Sequence, residues 1–178
     1  RSKYEFIAIG ASTGGPTAIE RVICSLPQDF DIPIVVCQHM PSIFIPQFVQ
    51  RLGALTKLEV VSATKGMNPT PGVVMFCPGH ANLVLTKEDG RPSVDFTDKV
   101  FKEYNKPSIN AMMLSAAEVY GDKMVGVLLT GMGKDGVNGM KEIHQVGGQT
   151  IAQNKESSVI YGMPKAAYEA GAVDKVLD

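Results

Sequence analysis

The sequence predicts an α/β protein: a doubly wound, mostly parallel sheet with helices on both faces, in a single domain over residues 1–178. Three observations carry that expectation. Short, nearly continuous apolar runs recur, as in strands buried on both faces. They alternate with segments whose apolar residues fall at helical spacing. Finally, 178 residues with 44% apolar content suit one globular domain with a full core, and no repeat, low-complexity tract or linker divides them.

Taken in order, "EFIAIG" (5–10) is the first buried strand. "ASTGGP" turns, and "TAIERVICSL" carries Ile19, Val22, Ile23 and Leu26 at helical spacing, with Pro16 suited to a first helical turn. "IPIVVCQHM" (32–40) is a second buried strand, closed by Pro41 and followed by a helical "PQFVQRLGAL". The middle of the chain changes character. "LEVVSAT", "GVVMFCPG", "NLVLTKEDG" and "SVDFTDK" read as short strands split by "NPTPG" and "EDGRP" turns, with at least one hairpin whose tip is "EDG". "PSINAMMLSAAEVYG" returns to a helix, with Pro107 and Ser108 at its start and Gly121 just past its end. "MVGVLLTG" is a strand, "VNGMKEIHQVG" a helix, "QTIAQN" a strand, "PKAAYEAG" a helix after Pro164, and "VDKVL" a last short strand.

Composition narrows the function. With 17 Lys+Arg against 18 Asp+Glu and no basic stripe, nothing forms a phosphate-backbone footprint, which argues against nucleic acid. No apolar run approaches the roughly 18 residues of a membrane span, and no signal peptide heads the chain, so no membrane insertion is expected. The opening "RSKYEF" lacks an initiator Met, as in a segment of a longer protein. Cys24, Cys37 and Cys77 are odd in number and lack a C-x-x-C, which argues against a disulfide framework or a zinc site; a reducing, cytoplasmic compartment is expected.

In open parallel sheets, sites form beyond the carboxyl ends of the strands. Three polar groups fall there. "GASTG" (10–14) satisfies G-x-S-x-G, the pattern of a serine on a tight strand-to-helix turn, and offers Ser12. "CQHM" places His39 at the end of the next strand, and "TGMGKDG" places Asp135 in a turn after a later one. A serine hydroxyl is a weak nucleophile until a nearby imidazole takes its proton, and a carboxylate fixes the imidazole tautomer and stabilises the imidazolium. Each residue also has a plainer reading, as helix cap, hydrogen-bonding histidine or turn former, and the residues alone leave both readings open.

Competing sites are fewer. His80 in "CPGHANL" is a spare base, while mid-helix His144 reads as a packed or surface residue. Cys37 shares the face of His39 along the strand, which admits a Cys–His hydrolase, although its apolar run favours a buried inert thiol. "GMGKDG" also spells the dinucleotide fingerprint G-x-G-x-x-G, with Glu156 suitably distant for a ribose contact. Against that, Asp135 sets negative charge where a pyrophosphate would lie. "GASTGG" lacks the Lys-Ser/Thr ending of a P-loop.

"IGASTGGP", "QHMP", "TGMGKDG" and "AQNKESSVIYGMP" together resemble the catalytic domain of the bacterial chemotaxis protein-glutamate methylesterases (CheB type). The resemblance runs from about Tyr4 to the C-terminus. It implies a doubly wound sheet with an antiparallel β-hairpin and a Ser-His-Asp triad in this chain order, with Ser12 as nucleophile, His39 as general base and acid, and Asp135 as orienting carboxylate. The family's oxyanion donors map to the backbone N–H groups of Thr13 and Met132. The implied activity is hydrolysis of glutamate γ-methyl esters on the cytoplasmic helices of chemoreceptors, releasing methanol, with glutamine deamidation in many relatives and no metal or organic cofactor. Residues 1–178 would be the catalytic domain, lacking the N-terminal receiver domain that restrains it in full-length members. Two departures stand out: Asn110 and Asn154 occupy positions where the family commonly has Asp.

Overall fold

The computed structural model describes residues 3–101, 103 and 106–178. In chain order the elements are β1 (Phe6–Ala11), α1 (Gly15–Cys24), β2 (Ile34–Gln38), α2 (Ile45–Leu55), β3 (Glu59–Ser62), β4 (Val73–Phe76), β5 (Asn82–Glu88), β6 (Arg91–Thr97), α3 (Ile109–Tyr120), β7 (Met124–Leu128), α4 (Val137–Gln145), β8 (Gln149–Gln153), α5 (Gly162–Glu169) and β9 (Lys175–Leu177). Single 3₁₀ turns precede α2 (Ser42–Phe44) and follow α3 (Gly121–Lys123). Among the described residues no helix is long and apolar enough to cross a membrane.

Seven strands form one sheet in the order β3-β4-β2-β1-β7-β8-β9, parallel at every described pairing. Of the four strand-like runs in the middle of the chain, β3 and β4 join this sheet, β4 inserting between β2 and β3. The other two, β5 and β6, form the expected antiparallel hairpin. Its tip holds Asp89 at φ 52° and Gly90 at φ 77°, the paired positive φ values that a two-residue turn needs to follow the strand twist.

Side chains alternate across a strand, and here each face meets its own core. Ile34 and Val36 of β2, with Ile9 and Ala11 of β1, pack against Ile19 and Ile23 of α1 and Phe48 and Leu52 of α2. Val35 and Cys37, with Phe6 and Ala8, face the other way onto Ile109, Met112 and Met113 of α3, Met140 and Ile143 of α4, and Met163 of α5. The hairpin lies on that second layer: Leu83, Leu85 and Val94 join its core, and Leu85 N–H donates to Ser115 Oγ of α3 at 2.9 Å.

Helix starts follow local chemistry. Ser108 caps α3 by accepting the Ala111 N–H at 3.0 Å, and its own N–H is held by Asn82 Oδ1 of the hairpin at 2.9 Å. Pro16 sits in the first turn of α1 as expected. Helix α5 begins at Gly162, two residues before Pro164 rather than after it, because a first helical turn needs no N–H from that residue. The strand order reverses at β1: β2 follows on one side and β7 on the other. The carboxyl ends of β1, β2 and β7 therefore border one crevice, where a site is expected.

Candidate active site

Ser12 follows directly on β1. Its N–H donates to Thr130 C=O at 2.9 Å, and its C=O accepts the Gly15 N–H at 2.8 Å. The turn then passes through Gly14 at φ 84°, a left-handed conformation natural to glycine. Thr130 is the brace of this corner: its hydroxyl donates to Thr13 C=O at 2.9 Å and accepts the Ile160 N–H at 2.9 Å, while its own N–H is taken by Gln153 Oε1 at 2.8 Å. Gly131 leaves no room for a side chain, since a Cβ there would lie 2.7 Å from Ser12 Cβ and 2.5 Å from Met163 Cε. The loop after β7 is thus pressed against the serine.

His39 sits one residue beyond β2, and its N–H donates to Ala11 C=O at 3.0 Å. This extends the parallel register that pairs Ala11 with Gln38, so Ser12 and His39 stand at neighbouring strand ends. The ring points towards α3, where His39 Nε2 meets Asp135 Oδ2 at 2.7 Å. The aspartate is 1% exposed and the histidine 13%. Two further donors hold the carboxylate: Ile109 N–H at 2.8 Å to Oδ2 and Asn110 N–H at 2.9 Å to Oδ1. These are first-turn amides of α3, without partners inside the helix and at its positive end. An acceptor-only carboxylate requires the proton on Nε2. That leaves Nδ1 of the neutral ring as the acceptor for a serine proton. Among the described residues the Ser12 hydroxyl makes no hydrogen bond. Such contacts often tighten only when substrate binds.

Asn110, noted from sequence only as a departure, has a clear structural task. Its Oδ1 accepts the N–H groups of Gly136 at 3.0 Å and Gly139 at 2.9 Å, so it caps α4 from another helix while its own N–H holds Asp135. Asn154 acts locally, its Oδ1 accepting the Ser157 N–H at 2.9 Å. Sequence reasoning missed this anchoring by Ile109, Asn110 and Thr130, and the hold of Gln38 Nε2 on the Ser12 and His39 carbonyls, because long-range partners leave no periodic signal. The one available hint was polar residues placed inside apolar surroundings, such as the Gln of "VVCQHM".

Thr13 and Met132 lie on the loops after β1 and β7. Among the described residues neither backbone N–H has a hydrogen-bond partner. The Gly131 C=O accepts the Met163 N–H at 2.8 Å. Because a trans peptide points its C=O and the following N–H in opposite directions, this contact turns the Met132 N–H away from α5. The Met132 side chain is largely exposed.

The competing candidates fall elsewhere. Cys37 is fully buried; burial, then the contact with Cys77 and nearby negative charge including Asp135, hold its thiol well above the usual range. A thiol kept neutral is a poor nucleophile. His80 is exposed with its ring 5.6 Å from that of Phe96 on the hairpin, and His144 pairs with Asp174 at 3.1 Å. In the "GMGKDG" loop Ser12 and Met163 occupy the approach to Gly131 and Asp135 turns inward to His39, where a dinucleotide fingerprint needs open backbone.

A parallel sheet that gathers a hydroxyl, an imidazole and a buried carboxylate at the carboxyl ends of its central strands is an α/β protein with the side-chain set of a hydrolase. The chain belongs to the CheB methylesterase family, whose model matches residues 7–178. It is 42% identical over 175 residues to a protein-glutamate methylesterase/protein-glutamine glutaminase of Geobacter sulfurreducens, covering 98% of this chain and 47% of that protein. To one of Carboxydothermus hydrogenoformans it is 45% identical, covering 97% of this chain and 52% of that protein. The chain thus spans about half the length of these relatives. The crystal structure of the Thermotoga maritima CheB methylesterase catalytic domain superposes with a TM-score of 0.94 at 38% identity, over 98% of this chain and 92% of that one.

Proposed function

We propose that the chain is a serine hydrolase that demethylates glutamate γ-methyl esters on bacterial chemoreceptors, releasing methanol. The observation that carries this reading is the 2.7 Å contact of His39 Nε2 with Asp135, formed one strand away from Ser12. His39 Nδ1 takes the hydroxyl proton as Ser12 Oγ bonds to the ester carbonyl carbon. The carbonyl oxygen becomes an oxyanion and receives the N–H groups of Thr13 and Met132, each contributing about 3 kcal/mol by the measure of other hydrolases. The C–O bond to the methoxy group then breaks and His39 returns the proton to it as methanol. Water, deprotonated by the same ring, attacks the acyl-serine and restores the hydroxyl.

The relatives' names pair the esterase with a glutaminase. Replacing methoxide by ammonia as the departing group gives that second reaction through the same acyl-serine. In this reading residues 1–178 are a catalytic domain that works in the cytoplasm, beside a receiver domain in the full-length protein, on cytoplasmic receptor helices. Methanol release from methylated receptor membranes tests it. Ser12→Ala should abolish release while the melting temperature stays within a few degrees of wild type; retained turnover in that variant would refute the serine mechanism.

A further inference from the structure

We propose that Gln38 is a positioning residue for the oxyanion site: by holding the Ser12 carbonyl it sets the Ser12–Thr13 peptide plane and so aims the Thr13 N–H at the reacting oxygen. This rests on the serine-hydrolase reading above.

Gln38 is 2% exposed at the end of β2. Its Nε2 donates to Ser12 C=O at 2.8 Å and to His39 C=O at 3.0 Å. One amide therefore ties the backbone of the nucleophile to that of the base. The Ser12 carbonyl also accepts the Gly15 N–H, so two donors pull it inward. In a trans peptide the next N–H, that of Thr13, must then point the opposite way, and among the described residues it has no partner. The carbonyl of Gly131, held by the Met163 N–H, sets the Met132 N–H by the same rule. The site thus has two inward-anchored carbonyls and two free amides.

Two further observations set Gln38 apart from ordinary packing. Among the described residues its Oε1 is buried without a hydrogen-bond partner, a feature that costs stability and calls for a reason. The amide cannot turn over to relieve this, because Oε1 would then face two carbonyl oxygens. Gly15 must also make room: a Cβ there would lie 1.9 Å from Gln38 Oε1 and 2.8 Å from its Cδ. Gly15 has no positive φ, so space rather than backbone freedom is what requires glycine. The second glycine of "STGG" and the glutamine of "QHM" are one device split between two motifs.

The test uses a short peptide carrying a glutamate γ-methyl ester, so that receptor docking plays no part, together with a peptidyl boronic acid that forms a tetrahedral adduct on Ser12. Q38M keeps the side-chain length without its donors; G15A keeps Gln38 but displaces its amide. Each should lower kcat on the order of 10²-fold with KM within about twofold, and weaken boronate binding by a similar factor. Non-additive losses in the double variant are expected. In the wild-type adduct the Thr13 amide proton should shift downfield, and in Q38M that shift should vanish while that of Met132 remains. Wild-type kcat in both single variants would overturn the inference, as would a Thr13 shift that persists in Q38M. Should Q38M not fold, the wild-type spectrum and G15A still decide: an adduct that leaves the Thr13 amide unmoved, or a G15A enzyme of normal kcat, defeats it. A wild-type protein that neither cleaves the ester nor binds the boronate at Ser12 would instead sink the hydrolase reading itself.

Discussion

Asp135 accepts three hydrogen bonds while only 1% exposed. Asp135→Asn would set an amide N–H against the Asn110 N–H, or against both the Ile109 N–H and His39 Nε2, and the second arrangement imposes the wrong imidazole tautomer. The expected result is a loss on the order of 10⁴-fold in kcat together with a lower melting temperature, read by ester hydrolysis and calorimetry. Cys37 gives a pH prediction. Its folded pKa lies above the ordinary thiol value of 9.0, first through burial, so folding favours the protonated form. That contribution is complete below the unfolded value and is lost as pH rises towards the folded one. Melting temperature should therefore fall above about pH 9, with a shallower slope in Cys37→Ala. At this scale the placement of Ser12, His39 and Asp135 was legible, the first two directly after buried strands and the third in the Gly-rich turn before α4. Their supporting groups were not: Asn110 reaches Gly136 and Gly139 across helices, a pairing that no spacing in the sequence encodes.

Among the elements, α3 and α4 start against one another. The first-turn amides of α3 hold Asp135, and the amides that begin α4 are held by Asn110. Gly139 makes the approach close enough, since a Cβ there would lie 2.4 Å from Met113 Cβ. Asn110→Ala removes the acceptor for two helix-start N–H groups and should destabilise the protein by about 1–2 kcal/mol, measured by denaturant unfolding; the backbone N–H that holds Asp135 is kept, but the turn carrying Asp135 loses its anchor at Gly136, so kcat should fall as well. The sequence reading found nearly every element, because Ser108, Pro16, Gly121 and the "EDG" tip act within a few residues of the structure they determine. It placed the start of α5 late, treating Pro164 as a boundary although a proline in the first turn blocks nothing. The 3₁₀ turn at Ser42–Phe44 went unread because three residues carry no period.

For the whole molecule, alternating buried strands and amphipathic helices made the doubly wound sheet legible. The insertion of β4 between β2 and β3 was not, because strand order depends on which edges find partners. The sheet also grades in burial, from the enclosed β1 and β2 to β9, whose residues are all exposed. Amide exchange should accordingly be slowest in β1, β2 and β7 and fastest in β9; uniform protection across the sheet would contradict that gradient. The hairpin, far from the chemistry in sequence, is mechanically joined to it. Asn82 grips Ser108, Ser108 begins α3, and α3 seats the carboxylate that steers the imidazole. On the proposed serine mechanism, whatever pries that ribbon off its helix, an antibody or a neighbouring protein, would therefore mistune proton transfer from a distance, without touching Ser12 or His39.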